Sequence, residues 1–360
     1  MIIRTLSLTN FKNHKTQSLE FSPQINGFVG NNGVGKTNLL DALHYLSVGK
    51  SFLGNSDLNN ISSGEEFFTI EAEVNDGEKD TMIRIQQAKD SKKIIKKNGK
   101  PYERMADHVG FVPSVLISPY DSNLISDSGD SRRRFLDAMI SQTDSGYLHN
   151  LIQYQKTVQQ RNALLKMFAK NRYYDAESLE IYDEPLNKYG TALFHKRLEF
   201  TRAIVPLIQH YYEIISGGKE QISVVYDSDL LQADFADLLS ESLEKDRMLT
   251  YTSKGIHKDD LVFQMNGSLM KKTASQGQQK SFLIALKLSQ MNRIKEITGK
   301  TAILLLDDIF DKLDDSRVSH LIALVNQEHF GQIFITDTDR QRTENVVKKI
   351  SDHSSIFEIA

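Results

Sequence analysis

The chain has 360 residues, no cysteine, no tryptophan and a net charge of −3. Its length suits roughly two domains, and the lack of thiols excludes a disulfide framework and thiolate chemistry. The near-neutral charge excludes nucleic-acid binding through a uniformly basic surface, so any such contact must be local. No apolar run approaches the roughly 20 residues of a membrane span. The opening MIIRTLSLTNFKNH also lacks the long apolar centre of a signal peptide, so a cytoplasmic protein with no membrane partner is expected.

In chain order, Leu6 and Leu8 alternate with Ser7 and Thr9, the period-two mark of a half-buried strand. GFVGNNGVGKTNLLDAL follows, from Gly27 to Leu43, and carries the pattern G-x-x-x-x-G-K-[ST]. A short apolar strand leads into it, and Leu39, Leu43 and Leu46 recur at helical spacing after it. That strand–loop–helix context is what the phosphate-binding loop requires. Glycines let the backbone of Gly30, Asn31, Asn32, Gly33, Val34 and Gly35 turn its amides toward phosphate, and the helix N-terminus adds a favourable dipole. Lys36 is expected on the β- and γ-phosphates and Thr37 on Mg²⁺.

Phe68, Ile70, Ala72 and Val74 predict a second alternating strand. In IIKKNGKPY, Asn98-Gly99 predicts a tight hairpin, because both residues accept positive φ. Lys92, Lys93, Lys96, Lys97 and Lys100 surround it. Clustered lysines are candidates for phosphate contact, though lysines on a hairpin also serve as a solvated edge that deters aggregation.

From about Ser131 the chain becomes helix-rich until Gly217-Gly218 breaks the run. Arg132, Arg133 and Arg134 sit there. Three consecutive helical residues point in different directions, so one or two are expected in salt bridges, and Arg132 is retained as a candidate DNA contact. In GIHKDDL, His257, Asp259 and Asp260 are too few for a persuasive metal site and are read as structural hydrogen-bonding groups. Ser275 in SQGQQK stands before an apolar helix and reads equally well as an N-cap. Ile303–Leu306 is an apolar run ending in Asp307-Asp308, which suits a buried strand carrying carboxylates where it emerges. Asp307 is expected to hold Mg²⁺, and Asp308 to orient or deprotonate the attacking water.

Strands, a helical block, then strands and helices again predict one α/β domain with a helical insertion rather than two separate domains. Residues 1–122 and 219–360 would form the two parts of that domain, and 123–218 the insertion.

The succession of phosphate loop, SQGQQK, ILLLDD and DKLDD resembles the ABC-type ATPases, which implies an α/β ATPase head: a phosphate-loop lobe with a mixed sheet and an antiparallel β subdomain, and a helical arm lobe inserted in the chain. Within those ATPases it resembles the RecF family of bacterial recombination mediators. LSLTNFKNH, GNNGVGKTNLLDAL, SRRRFLD, QRNALLK, GIHKDDL and FITDTD are similar to that family's motifs and span nearly the whole chain. The resemblance implies ATP and Mg²⁺ as cofactors, and an ATP-dependent homodimer in which one subunit's signature closes over the other's nucleotide. Ser275 and Gly277 would then contact the γ-phosphate in trans, with Asp314 as the D-loop residue, and Lys12 and Asn13 would touch nucleotide. It further implies binding to gapped DNA or single-strand/duplex junctions, work with RecR and RecO to load RecA, and a place in the SOS response and replication recovery.

Several positions depart from the family pattern. Ile256 and Lys258 replace Pro and Arg, and Leu53 replaces an Arg. Tyr120 replaces a Glu, leaving the Q-loop equivalent only loosely between Ser118 and Asp121. Asp308 is one methylene shorter than the usual Glu, which predicts slow hydrolysis. Asp337 falls where a transporter ATPase has its switch His, and with the long insertion it argues against a transporter. A small-molecule kinase would need no signature. An SMC-class structural clamp with vestigial hydrolysis remains the alternative.

Overall fold

A computed structural model describes residues 1–54, 56–218, 220–308, 331–350 and 353–360. It divides into two compact units, one of residues 1–122, 210–219 and 275–360, the other of 123–209 and 220–274.

The first unit opens with β1 (Ile2–Phe11), β2 (His14–Glu20), β3 (Ile25–Val29) and α1 (Lys36–Val48). Then come β4 (Phe67–Asn75), β5 (Asp80–Ala88), β6 (Ile94–Lys97), β7 (Lys100–Pro101) and β8 (Ser114–Ile117). Strands β2-β1-β4-β5-β6-β7 form an antiparallel sheet in that order. Ile3, Leu6, Leu8 and Phe11 of β1 are buried. A register shift between Ile3 and Thr5 resets the alternation so that Ile3 and Leu6 share the core face. Phe68, Ile70, Ala72 and Val74 point inward beside Ile83 and Ile85 of β5, as their period-two spacing requires. The β6–β7 turn has Asn98 at φ 49° and Gly99 at φ 78°, the two left-handed residues of a tight hairpin.

The second unit contains α2 (Asn123–Ser126), α3 (Gly129–Ser141), α4 (Ser145–Asn171) and most of α5 (Ala176–Ser216). It continues with β9 (Ile222–Asp227), α6 (Phe235–Glu241), α7 (Leu243–Leu249), β10 (Asp260–Met265), β11 (Ser268–Leu269) and α8 (Met270–Thr273). Gly217 and Gly218, at φ 72° and 74°, end α5. The expected boundary at 218 is too early: 220–274 cluster with the helices. The β11-β10-β9 sheet turns Ile222, Val224, Tyr226, Leu261, Phe263 and Met265 inward, and α3 packs against β10.

Buried ion pairs tie this unit together. Arg197, 2% exposed, donates to Asp137 at 2.8 Å, to Asp259 at 2.9 Å and to the Ile256 carbonyl at 2.6 Å. Arg161 is fully buried and pairs with Asp183 and Asp246, each at 2.7 Å. His257 is held by Tyr154 Oη on Nδ1 and the Thr252 carbonyl on Nε2. Both ring nitrogens are thus engaged structurally, as are the neighbouring carboxylates, Asp259 by Arg197 and Asp260 by Arg132.

The chain returns to the first unit with α9 (Gln276–Thr298), β12 (Ile303–Leu306), β13 (Ile333–Asp337), α10 (Arg340–Ile350) and β14 (Ser354–Glu358). Among the described residues, β14-β3-β13-β12-β8 make a sheet in which every pairing is parallel. The expected antiparallel β subdomain is thus present beside the sheet that carries the phosphate loop, and the pairings described in the latter are parallel rather than mixed. All residues of β3, β8, β12 and β13 are buried, which accounts for their largely apolar make-up; Asn26, Ser114, Thr336 and Asp337 are buried polar exceptions. Gln332 stitches the ends of the chain together. Its amide accepts from the Ile3 N–H at 2.7 Å and donates to the Ile3 and Ser22 carbonyls, each at 2.8 Å.

Removing one partner of a buried ion pair leaves an uncompensated charge. Arg161→Ala is expected to destabilise the second unit by about 3–5 kcal/mol, read by denaturant unfolding. Acid should act there too. Burial pushes His257 down from 6.5 to about 4, so the unfolded chain takes up the proton first, and this stabilisation is complete above pH 6.5 and lost as pH falls toward 4. His257→Gln should flatten that part of the melting-temperature profile.

Candidate nucleotide site

Strand β3 ends at Val29, and the next six residues turn into α1. Gly30 has φ 152°, and a Cβ there would lie 2.3 Å from the Ile359 carbonyl. Gly35 has φ 110°, and a Cβ there would strike the Asn13 amide and the His14 ring within 2.7 Å. Only glycine fits either position. Asn31, Asn32 and Gly33 are exposed, whereas Gly35 and Lys36 are buried, so the loop presents its crest to solvent. Lys36 Nζ donates to the carbonyls of Gly30 and Asn31 at 2.8 and 2.9 Å, which places its ammonium under the loop.

The turn between β1 and β2 braces the loop from below. Asn13 donates from Nδ2 to the Val34 carbonyl at 2.9 Å and accepts from Asn38 at 2.7 Å. His14 Nε2 lies 3.1 Å from the Gly35 carbonyl, and burial lowers its pKa. The nucleotide contact expected of Lys12 is replaced by a structural one. Its side chain, 8% exposed, forms an ion pair with Asp41 of α1. Asp41 in turn accepts from Ser51 Oγ and the Phe52 N–H, each at 2.8 Å. Lys12 therefore ties the β1–β2 turn to the helix behind the loop.

Across the sheet, Asp307 follows β12, and Thr37 Oγ1 donates to its Oδ1 at 3.0 Å. Thr336 Oγ1 donates to the same oxygen at 2.8 Å and accepts from the Asp308 N–H at 3.0 Å. Burial raises the Asp307 pKa, opposed by the Thr336 and Thr37 hydrogen bonds; Asp308 adds to the rise and Lys36 opposes it. A hydroxyl and a carboxylate side by side are the hard oxygen donors that suit Mg²⁺, and the glycine cradle suits a phosphate chain. The residues present thus fit both groups. Asp308 has φ 45°, a left-handed conformation that Asp tolerates better than most residues.

Asp337 ends β13 beside the loop strand, paired with Val29. Burial alone would raise its pKa, but the Arg342 side chain and backbone amides hold it below the usual range. Ser275 caps α9 in a capping box: Gln278 N–H donates to Ser275 Oγ at 3.3 Å, and Ser275 N–H to Gln278 Oε1 at 2.7 Å. Ser275 is exposed and Gly277 half-buried. In the loosely placed Q-loop segment, Asp121 pairs with Lys287 of α9 at 2.7 Å. Asp314 lies outside the described residues.

Two candidate DNA contacts are corrected. Lys93, 4% exposed, is enclosed by Asp57 at 2.7 Å, the Gly49 carbonyl at 2.6 Å and the Tyr45 hydroxyl. Arg132, 9% exposed, donates from Nε and Nη2 to Asp260 at 2.7 and 2.8 Å and from Nη1 to two carbonyls. Both are structural. Lys92 and Lys100 are exposed and Lys96 half-buried, and Lys97 Nζ sits 3.7 Å from the Phe111 ring centroid. His14, Asn38, Asp41 and Thr336 escaped the sequence reading. The one available signal was a buried polar residue inside an apolar run, as in FITD for Thr336.

The family model described as the RecF/RecN/SMC N terminal domain matches residues 2–355. The DNA replication and repair protein RecF of Flavobacterium johnsoniae is 48% identical over 359 residues, covering 100% of both chains. That of Phocaeicola vulgatus is 43% identical over 362 residues, covering 100% of this chain and 96% of its own. The fold is similar to a solved recombination mediator protein RecF-ATPrS, with a TM-score of 0.89 and 30% identity, covering 99% of this chain and 96% of that one. It is also similar to an SMC head bound to the C-winged helix domain of ScpA, with a TM-score of 0.56, 15% identity and coverage of 96% and 92%; at that identity the likeness concerns the fold alone.

Thr336→Val removes one hydroxyl from a carboxylate, an interaction worth about 1.5–3 kcal/mol. It is expected to raise the Mg²⁺ concentration needed for nucleotide binding roughly tenfold or more, while Thr336→Ser retains most of the wild-type affinity. A Mg²⁺ titration with a fluorescent ATP analogue reads this. Because the Asp307 pKa is raised, the same titration should lose affinity on acidification at a higher pH than an ordinary carboxylate would.

Proposed function

This chain belongs to the RecF family of DNA replication and repair proteins, and on that premise we propose that it is an ATP-gated, DNA-binding clamp of recombinational repair. Two copies would sandwich two ATP molecules, each held by the loop of one copy and the Ser275–Gly277 segment of the other. The observation that carries this reading is the composite site. The loop and the Asp307 carboxylate are brought within 3.0 Å through Thr37, while Ser275 stands exposed at the start of a 23-residue helix. A helix start with an exposed hydroxyl donor is a ready partner for phosphate charge.

In this scheme Gly30 to Gly35 cradle phosphate, Lys36 swings from its two carbonyls to the β- and γ-phosphates, and Thr37 and Asp307 hold Mg²⁺. Bound Mg²⁺ would neutralise charge on the phosphates. Asn13 and His14 keep the loop in shape. Asp308 orients the attacking water from a short side chain, so hydrolysis is slow and sets the lifetime of the dimer. Asp314 completes the interface as its D-loop residue.

DNA would meet Lys92, Lys96, Lys97 and Lys100 through its backbone. Nothing among these residues suggests base readout, so the preference would be for gaps and single-strand/duplex junctions rather than for sequence. The work would be cytoplasmic, with RecR and RecO as partners in loading RecA during the SOS response and replication recovery. No helix among the described residues is long and apolar enough to cross a membrane.

The test is binding to gapped DNA with and without ATP, alongside light scattering for the oligomeric state. ATP-dependent dimerisation should be present in wild type and lost in Lys36→Ala and Ser275→Arg. DNA binding indifferent to ATP and to both substitutions would overturn the clamp. Asp308→Asn should lengthen the ATP dimer's lifetime; an unchanged lifetime would favour the SMC-class reading in which ATP only locks the dimer.

A further inference from the structure

A cavity of about 390 Å³ opens in the second unit where the C-terminal end of α4 meets α7. Its volume lies within the roughly 300–1,000 Å³ of small-ligand sites. Leu165 and Phe168 are buried beneath it, whereas Tyr173 is 62% and Met248 78% exposed. Phe168 stands edge-on to Tyr173 and Tyr174, with centroids 6.1 and 5.6 Å apart. These contacts fix two tyrosine rings whose remaining surface is turned to the cavity and to solvent.

The charges at this cavity are unevenly matched. The Arg247 guanidinium lies 4.0 Å from the Tyr174 ring centroid and pairs with Glu244 at 2.6 Å. Arg172 is exposed, and its guanidinium makes no hydrogen bond or ion pair among the described residues. It caps α4 at φ 53°, a left-handed conformation that most side chains avoid. The amides of Arg172 and Tyr173 both close on the Phe168 carbonyl, so an anion at Arg172 is partly shielded from the bare end of the helix. The lining therefore offers flat aromatic rings, a polarisable thioether and one uncompensated guanidinium.

An apolar peptide side chain would use the rings but leave Arg172 without a counter-charge. A nucleotide satisfies both, since every base has a π-face to stack and a phosphate beside it. We propose that this cavity takes an unpaired nucleotide of single-stranded DNA, its base against Tyr173 and its phosphate on Arg172. This rests on the proposed DNA-binding function and names the element that reads the single-stranded side of a junction.

The test uses the full chain with ATP and Mg²⁺, and an oligonucleotide carrying 2-aminopurine in a single-stranded gap. Wild type should quench the 2-aminopurine by stacking. Tyr173→Ala should abolish the quenching and weaken single-strand affinity about tenfold, with duplex affinity and ATP-dependent dimerisation unchanged. Arg172→Asn keeps a residue that accepts the left-handed cap; it should lower the single-strand salt slope by about 0.7, the share of one phosphate contact. Wild-type quenching that survives both substitutions, or no quenching by a wild type that still binds gapped DNA with ATP, would overturn the inference and leave the clamp standing. Failure of wild type to bind gapped DNA at all would overturn both. Quenching lost together with dimerisation would show damage to the fold and count against a local nucleotide site.

Discussion

The hydrogen bond from Thr37 to Asp307 is the contact on which the rest depends, because it closes a site whose two halves lie at opposite ends of the sequence. It forms only if β3 and β12 flank β13 in register, so that the loop after Val29 and the carboxylate after Leu306 emerge at the same edge. Parallel pairing provides this, since it aligns the C-terminal ends of neighbouring strands, where ligands of open α/β sheets bind. Thr336, at the end of the strand between them, then donates to Asp307 and accepts from the Asp308 amide. One buried hydroxyl thereby fixes both acidic residues.

The same constraint explains the supports around the loop. A backbone that turns its amides outward cannot satisfy its own carbonyls, and buried polar groups left unpaired are costly. Here Lys36, Asn13 and His14 serve the carbonyls of Gly30, Asn31, Val34 and Gly35. The antiparallel sheet matters to the site mainly through its first turn, which delivers Asn13 and His14 beneath the loop and anchors Lys12 on Asp41.

Much of this was legible in the residues. Alternation in β1 and β4, the Asn98-Gly99 turn, the glycine-rich loop and the apolar run before Asp307 each reflect a local rule that the fold obeys. What was not legible depends on distant partners. Lys93 and Arg132 stand as candidate DNA contacts in the sequence because Asp57 and Asp260, which enclose them, lie 36 and 128 positions away. The nucleotide contact of Lys12 is implied by the resemblance alone, whereas its pairing with Asp41 behind the loop has no local signal. The boundary of the arm was misplaced for the same reason. Gly217-Gly218 does end a helix, but the strand after it finds its partner in β10, and only that pairing assigns 220–274 to the helical unit.

Strand β13 lies between β3 and β12, and Ile333 pairs with Ile25. Gln332, one residue earlier, fastens to Ile3 and Ser22. On the ribosome, the N-terminal strands emerge long before their central neighbour exists, and β3, with Ile25, Phe28 and Val29, must wait with an unpaired edge. The helical unit, whose last residue is 274, is already complete by then. Such exposed strands are aggregation-prone while they wait, and long-range parallel pairing is intrinsically slow. Protection of that nascent edge during synthesis is therefore part of what this architecture demands of the cell that makes it.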